Sequence, residues 1–310
     1  MGRICLQTLF LSLLLVQAGL SADQVYVDEV GRWVKIPESP RRIVSLSPSI
    51  TEILFSLGLE ERIVGVSNHS DFPLQALTKP RVGSYINPSV ERTISLNPDL
   101  ILATAAGNPR EFVDRMESLG LSVYTVFPKE FDGILRSISH IAMVTGREGW
   151  GVRVIGDMRR RKERILQLTH GRNKPKVFFQ IGTAPIVTVG KGSFADDLIS
   201  LAGGRNIAGG ESVKYPRYSI EEVLVKAPDI IIITSMDPKG DSPKLAKQWN
   251  RWKTIPAVKQ ERVFVIDSDL VDLPSPRIID GLEVIAGILH PEVEGILRNQ
   301  WKGSDLSHDR

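Results

Sequence analysis

Residues 89–104 return at residues 219–234, an offset of 130, and no other feature limits so strongly what this 310-residue chain can fold into. Ser89-Val-Glu-Arg-Thr-Ile-Ser-Leu-Asn-Pro-Asp-Leu-Ile-Leu-Ala-Thr104 lies against Ser219-Ile-Glu-Glu-Val-Leu-Val-Lys-Ala-Pro-Asp-Ile-Ile-Ile-Ile-Thr234, with six of sixteen pairs identical. Each copy reads as a short Ser-capped helix, a Pro-Asp turn and a buried strand. A chain of this length holds about two domains, so the repeat predicts two similar lobes. A two-lobed body offers a cleft between them.

The grammar around the repeat is strand followed by helix. Residues 23–40 read as a hairpin, with Val25, Val27, Val34 and Ile36 alternating about a turn that contains Gly31. Residues 43–46 are a strand, Ser47 a candidate N-cap with Pro48 behind it, and Ser49-x-x-Glu52 a competing capping box. Ile50, Ile53, Leu54 and Leu57 mark the buried face of the helix that follows, and Gly58 its stop. Further strands are expected at 99–103, 123–127, 177–181, 186–189, 229–234 and 262–267, with helices at 109–119, 134–145, 194–202 and 276–289. Alternating strands and helices imply α/β lobes with mainly parallel sheets. Residues 147–170 carry no strand signal and are rich in helix formers, so one long helix is expected to hold the lobes apart, its Arg159-Arg-Arg-Lys162 run on a solvated face. The divisions are then 1–22 leader, 23–146 first lobe, 147–172 connecting helix, 173–291 second lobe and 292–310 polar tail.

The N-terminus reads as a secretory signal peptide: one positive charge by Arg3, an apolar run from Leu9 to Val16, then small residues to Ala22. That run is about half the length of a membrane span. The expected product is therefore exported to the periplasm, soluble and without a lipid anchor. The single Cys, at position 5, falls in the leader, which leaves neither a disulfide framework nor a thiolate metal cluster in the product. Basic residues number 39 against 36 acidic, a net charge of +3, too near neutral to suggest nucleic acid as a partner.

In α/β lobes ligands meet the carboxyl ends of the strands. The residues expected at the cleft are then Ser47, the loop 67–72 with His69 and Phe72, Tyr85, the segment 104–108 opening at Thr104, the segment 182–185 opening at Gly182, Tyr215, and the segment 267–274 with Asp269. Glu91 and Glu221 occupy equivalent places near the starts of their helices, where a carboxylate interacts well with the helix dipole. As a pair they also present one carboxylate per lobe to a partner with two matching cations. An exposed ion pair contributes only about 0.2–1 kcal/mol, so such a pair governs orientation and encounter.

The hairpin leading into Arg42-Ile-Val-Ser-Leu-Ser-Pro-Ser-Ile-Thr-Glu52, the Ser70-Asp-Phe-Pro73 turn, the two Glu segments and Ser275-Pro-Arg277 together resemble the helical-backbone substrate-binding proteins of ABC importers. These class III periplasmic binding proteins carry cobalamin, haem and ferric siderophores, and the likeness, over about residues 25–289, is greatest to the cobalamin binders. The resemblance implies two Rossmann-like lobes on one rigid helix, a shallow cleft, little closure, and a monomer when free. It implies that Glu91 and Glu221 dock on arginines of an inner-membrane permease. It places Tyr85 and Tyr215 where cobalamin binders have cleft Trp residues, Asp269 where they have a ligand-contacting Asp, and Thr104 where they have a further Trp. Flat rings suit a large rigid macrocycle, a stacked contact adding about 0.5–1.5 kcal/mol beyond area burial. Haem or a ferric siderophore is the alternative cargo, with His69 a candidate ligand to a metal centre, and Lys214, Arg217 and Arg277 candidate cations for an anionic chelate.

No cofactor and no catalysis are expected. Gly190-Lys-Gly192-Ser-Phe-Ala195 follows an apolar strand, opens a helix and has Glu211 about 20 residues on, which imitates a dinucleotide fingerprint. It occurs in the second lobe only, and an exported chain meets little nicotinamide cofactor. A nucleophile elbow is absent. Histidines 140, 170, 290 and 308 have no metal-site spacing.

Overall fold

A computed structural model describes residues 23–235 and 242–301; the expected leader at 1–22 and the segment 302–310 lie outside the described residues. The chain opens with the hairpin β1 (Gln24–Val27) and β2 (Trp33–Ile36), paired antiparallel with Gln24 opposite Ile36. The first lobe then runs β3 (Ile43–Ser45), α1 (Pro48–Ser56), β4 (Ile63–Val66), the two-residue pair β5 (Gly83–Ser84) and β6 (Asn87–Pro88), α2 (Val90–Ser95), β7 (Leu100–Thr104), α3 (Arg110–Ser118), β8 (Val123–Val126) and α4 (Phe131–Val144). The long helix α5 (Glu148–Thr169) follows. The second lobe comprises β9 (Lys176–Thr183), β10 (Ile186–Thr188), α6 (Phe194–Leu201), β11 (Arg205–Asn206), α7 (Ile220–Lys226), β12 (Ile230–Ser235), α8 (Ser242–Gln248), α9 (Pro256–Lys259), β13 (Val263–Asp267), α10 (Ile278–Leu289) and α11 (Pro291–Trp301).

The first sheet is wholly parallel in the order β4-β3-β7-β8. In the second, β11, β9, β12 and β13 are parallel in the same relative order, and only β10 is antiparallel, folding back on the end of β9. Both sheets thus place their first strand beside their third, and the connections diverge there. In doubly wound sheets the ligand crevice opens at that point, beyond the carboxyl ends of the strands.

The repeat owes most of its identities to local structure. Ser89 and Ser219 cap α2 and α7, each hydroxyl accepting from a backbone N–H three residues on, at 3.2 Å. Each helix is followed by a left-handed residue at the equivalent position, Asn97 at φ +45° and Ala227 at φ +46°. In the Pro-Asp turns, Asp99 accepts from the N–H groups of Arg41 and Arg42, and Asp229 from that of Lys176, pinning each turn to the start of its lobe's first strand. Along the strands, Leu100, Leu102, Ile230 and Ile232 face one core, while Ile101, Ala103, Ile231 and Ile233 face the opposite side of their sheets.

That shared core corrects the expectation of lobes held apart by a strut. One cluster runs from Ile43, Leu100 and Ile134 through Ile155, Met158 and Ile165 of α5 to Val177, Ile230 and Leu282. The buried residues of α5, Gly151, Ile155, Met158, Ile165 and Thr169, recur at helical spacing. Its polar side is tied to both lobes: Arg161 reaches Asp280 and Glu283 of α10, each at 2.6 Å, and Lys162 reaches Asp132 of α4 at 2.6 Å. At 1.5 Å per residue its 22 residues span about 33 Å. A second correction falls at the end of the chain, where residues 292–301, read as polar tail, belong to helix α11 with Val293 and Leu297 in the core. No helix among the described residues is long and apolar enough to cross a membrane.

Candidate functional site

The floor of the cleft is built from hydroxyls. Ser45 at the end of β3 bonds to Thr51 at 2.8 Å, Thr51 to Ser70 at 3.0 Å, and Ser70 to Ser67 at 2.8 Å, all buried. Ser47 belongs to this layer: it is 2% exposed and its hydroxyl lies 2.7 Å from that of Ser49. Arg81 donates to the Ser67 and Ser70 carbonyls and to Asp71, which fixes the base of the 67–73 loop. From that base His69 projects into solvent, and Phe72 stands half-exposed with the Arg277 guanidinium 4.0 Å from its ring centre.

Beyond the end of β7 a second group forms around Asn108. Its amide donates to the carbonyls of Tyr85 (2.7 Å) and Leu46 (3.0 Å), while its oxygen accepts from the Thr104 N–H at 2.8 Å. The hydroxyl-bearing end of the Tyr85 ring lies against Gly107, so close that a Cβ there would fall 2.0 Å from the ring. Burial raises the Tyr85 phenol above its ordinary value, leaving it neutral and able to donate. Thr104 is 4% exposed and accepts from the Ala106 N–H; it closes the loop where a larger side chain would project.

The second lobe contributes Tyr215, Asp269 and Asp272. Tyr215 and Asp272 line a cavity of about 170 Å³ with Ile181, Ser193 and Phe194. Asp272 reaches water at the cavity mouth, yet the surrounding walls and then Asp269 push its carboxyl up to about 6. Asp269 is raised by burial, then by Asp267, with Asp71 of the first lobe adding to it and Arg277 opposing. Asp269 thus feels a charge of each lobe, Asp71 from the first and Arg277 from the second. Gly182 stands apart from this group, in the β9–β10 hairpin, where its position leaves room for Val187.

The fold thus links Phe72 to Asp269 through Arg277 and Asp269 to Tyr215 through Asp272, and it ties Tyr85 to Thr104 through Asn108. His69 and Gly182 are joined to neither. Sequence reasoning missed Glu52, a buried carboxylate on α1 that receives Ser275 at 2.6 Å and Arg277 at 2.9 Å, both from the second lobe. It also missed Asp272 as an individual. The Ser49-x-x-Glu52 spacing reads as a capping box, which the helix does not form, and no spacing signals the actual partners, more than 220 residues away. Arg277, offered as a cation for an anionic chelate, is engaged by Glu52.

The dinucleotide-like Gly190 has another use: a Cβ there would lie 2.3 Å from the Val213 carbonyl, so the glycine admits a backbone strand beside it. A larger cavity, about 390 Å³, lies at the opposite pole of the second sheet. Its two guanidiniums are occupied, Arg172 by Glu292 and Arg262 by the carbonyls of Ile288 and Leu289, so it offers no free cation.

Glu91 and Glu221 are both exposed in the first turns of α2 and α7. Glu91 accepts from the Ser89 hydroxyl at 3.1 Å. Its carboxyl is held below its ordinary value by its own backbone N–H and by Ser89. Glu221 makes no hydrogen bond or ion pair among the described residues; its neighbour Glu222 completes the capping box.

Comparison with known proteins agrees with this architecture. The sequence pattern of the family described as periplasmic binding protein matches residues 43–270. A vitamin B12-binding protein of Vibrio cholerae serotype O1 is 33% identical over 255 residues, covering 82% of this chain and 90% of that one. Among solved structures, the periplasmic vitamin B12 binding protein BtuF of Vibrio cholerae superposes with a TM-score of 0.72 at 31% identity, over 84% of this chain and 99% of that one. The periplasmic heme-binding protein RhuT of Roseiflexus sp. RS-1, in apo form, gives 0.73 at 26% identity, over 81% and 98%.

Proposed function

The chain belongs to the periplasmic binding protein family, and from that premise we propose that it is the substrate-binding component of an ABC importer, which captures cobalamin or a related corrinoid between its lobes and delivers it to a membrane permease. The observation that carries this reading is the placement of aromatic rings at the carboxyl ends of both sheets: Phe72 and Tyr85 from the first lobe, Tyr215 from the second. Half-exposed rings held by fixed backbone give a flat, preformed apolar surface with polar edges, which a rigid macrocycle covers at little conformational cost. Asp269, Asp272 and the two phenols supply acceptors and donors for the amide groups at a corrinoid's rim. The B12-binding relatives support the same cargo.

Haem is the second reading, favoured by the likeness to RhuT and by an exposed His69 able to ligate iron. Against it, haem's carboxylates would meet Asp269 and Asp272, and Arg277 is already bound to Glu52, which leaves Lys214, 5.8 Å from the Tyr215 ring centre, to receive them. Within the corrinoid reading residues 1–22 direct export and are removed, the product works in the periplasm, and Glu91 and Glu221 dock on paired cations of the permease. The structural account of the repeat supports that last role. The identical Ser, Pro and Asp positions have caps and turns to make, whereas the Glu221 carboxylate has no structural work among the described residues.

A melting-temperature screen tests the cargo. A ligand at a hundredfold excess over its Kd stabilises the native state by about 2.7 kcal/mol, or roughly 5 °C for a chain of this size. Cyanocobalamin or cobinamide is expected to give that shift. A shift with haemin or a ferric chelate, and none with either corrinoid, would overturn the corrinoid reading in favour of its alternative.

A further inference from the structure

Glu52 is the one acid of α1, buried to 4% side-chain exposure in the first lobe, and its hydrogen bonds come from the second. Three donors meet its two oxygens: the Ser275 hydroxyl at 2.6 Å, the Arg277 Nε at 2.9 Å, and the Arg277 Nη2. Ser275 also accepts from the Arg277 N–H, so the 275–277 turn is shaped around this carboxylate. Separating the lobes here would strand a buried charge, the costliest way to break such a pair.

The same guanidinium has a second neighbour. With its Nε and Nη2 on Glu52, it lies 4.0 Å from the centre of the Phe72 ring. That ring remains 47% exposed, at a loop whose base is fixed by Arg81 and by the Ser67, Ser70 and Thr51 hydroxyls of the first lobe. Phe72 is therefore rooted in one lobe and supported from beneath by the other. A planar, forked cation can do both at once; an ammonium is a point charge that cannot.

We propose that Arg277 is a positioning residue of the cleft: through Glu52 it bolts the lobes together at the floor, and through its face it holds the Phe72 ring in the attitude in which the ligand meets it. The second half of this assignment rests on the corrinoid-binding function proposed above; the first does not.

Two measurements on protein purified from the periplasm test it. In cyanocobalamin titrations, R277K and F72A are each expected to weaken binding roughly tenfold, and R277K/F72A to lose less than the product of the two, because Arg277 acts in part through the ring. Wild-type affinity in R277K, or losses that multiply in the double variant, would overturn the positioning role. In the second measurement, nitroxides on cysteines introduced at exposed Glu61 and Lys259, one in each lobe, report the interlobe distance without ligand. A narrow distribution that broadens in R277K and in E52Q is the expected result; an unchanged width would overturn the bolt. The E52M/R277M pair leaves no stranded charge and serves where a single variant does not fold. Should the unaltered protein bind no corrinoid, the functional reading fails, and the distance distribution alone judges the bolt.

Discussion

Gly107 has no room for a Cβ, since the Tyr85 ring occupies that space, and this makes a ligand-facing ring testable from beneath. In G107A the ring must swing away while its own chemistry is intact. Cyanocobalamin affinity is expected to fall roughly three- to tenfold, the worth of one aromatic contact, and titration calorimetry with Y85A as the reference measures it. An unchanged Kd in both variants would remove Tyr85 from the ligand surface. Asp272 gives a pH test. Its carboxyl is ordinary, 3.8, in the unfolded chain and pushed up to about 6 in the fold, so the folded state holds the proton more tightly. Stability from this group is present below about pH 4 and is lost as pH rises toward 6. D272N, which imitates the neutral acid, is therefore expected to melt above the wild type at pH 7.5 and level with it at pH 4; equal melting at both would show that the cleft does not strain this charge. Among individual residues the sequence exposed Tyr85, Tyr215 and Asp269, because strand ends and a family likeness point to them. It hid Glu52 and Arg277 as partners, because nothing local in a helix announces a carboxylate satisfied from the far end of the chain.

At the scale of elements, legibility followed length and periodicity. The hairpin, the apolar strands and helices α1, α3 to α6 and α10 were readable from their periodicity and stops, and the short α2 and α7 from the repeat. Strands β4, β5, β6 and β11 were not: β4 is interrupted by Gly65, and the other three are two-residue pairs held by their neighbours. Helix α11 hid behind Pro291, which reads as a stop and serves as the first residue of a new helix. The glycines of α5 have opposite reasons, and this too can be measured. A Cβ on Gly151 would lie 2.7 Å from that of Ala142, so Gly151 allows α4 and α5 to touch, whereas Gly156 is exposed with nothing within 4 Å. G156A is expected to stabilise the protein by about 0.5–1 kcal/mol, the helix penalty of glycine, and G151A to destabilise it by about 1–3 kcal/mol through overpacking. Urea denaturation of both decides. Stabilisation by G151A would mean that the two helices are not in close contact.

For the whole molecule, a core continuous through α5 and polar ties on both its flanks make the two lobes one body. On the function proposed above, ligand capture would rearrange little, and a permease would recognise the loaded protein chiefly by the spacing and charge of fixed surface points. Glu91 and Glu221 suit that role because the duplication sets them at equivalent positions on opposite lobes, exposed and near the amino ends of helices. Two carboxylates on one frame orient it over a partner with two matching cations, and they act on encounter more than on affinity. Their reversal should consequently separate two properties that a cleft variant would damage together. E91K/E221K is expected to bind cyanocobalamin with unchanged affinity and to melt a few degrees below the wild type, since each reversal forfeits about 0.3–1 kcal/mol at a helix amino end. Reconstituted with its permease in proteoliposomes, it is expected to support no uptake, with each single reversal intermediate and the single-variant defects growing as salt is lowered. Loss of corrinoid affinity in the double variant would place these glutamates in the cleft's own economy of contacts, and uptake at the wild-type rate would leave the repeat with no role beyond folding each lobe.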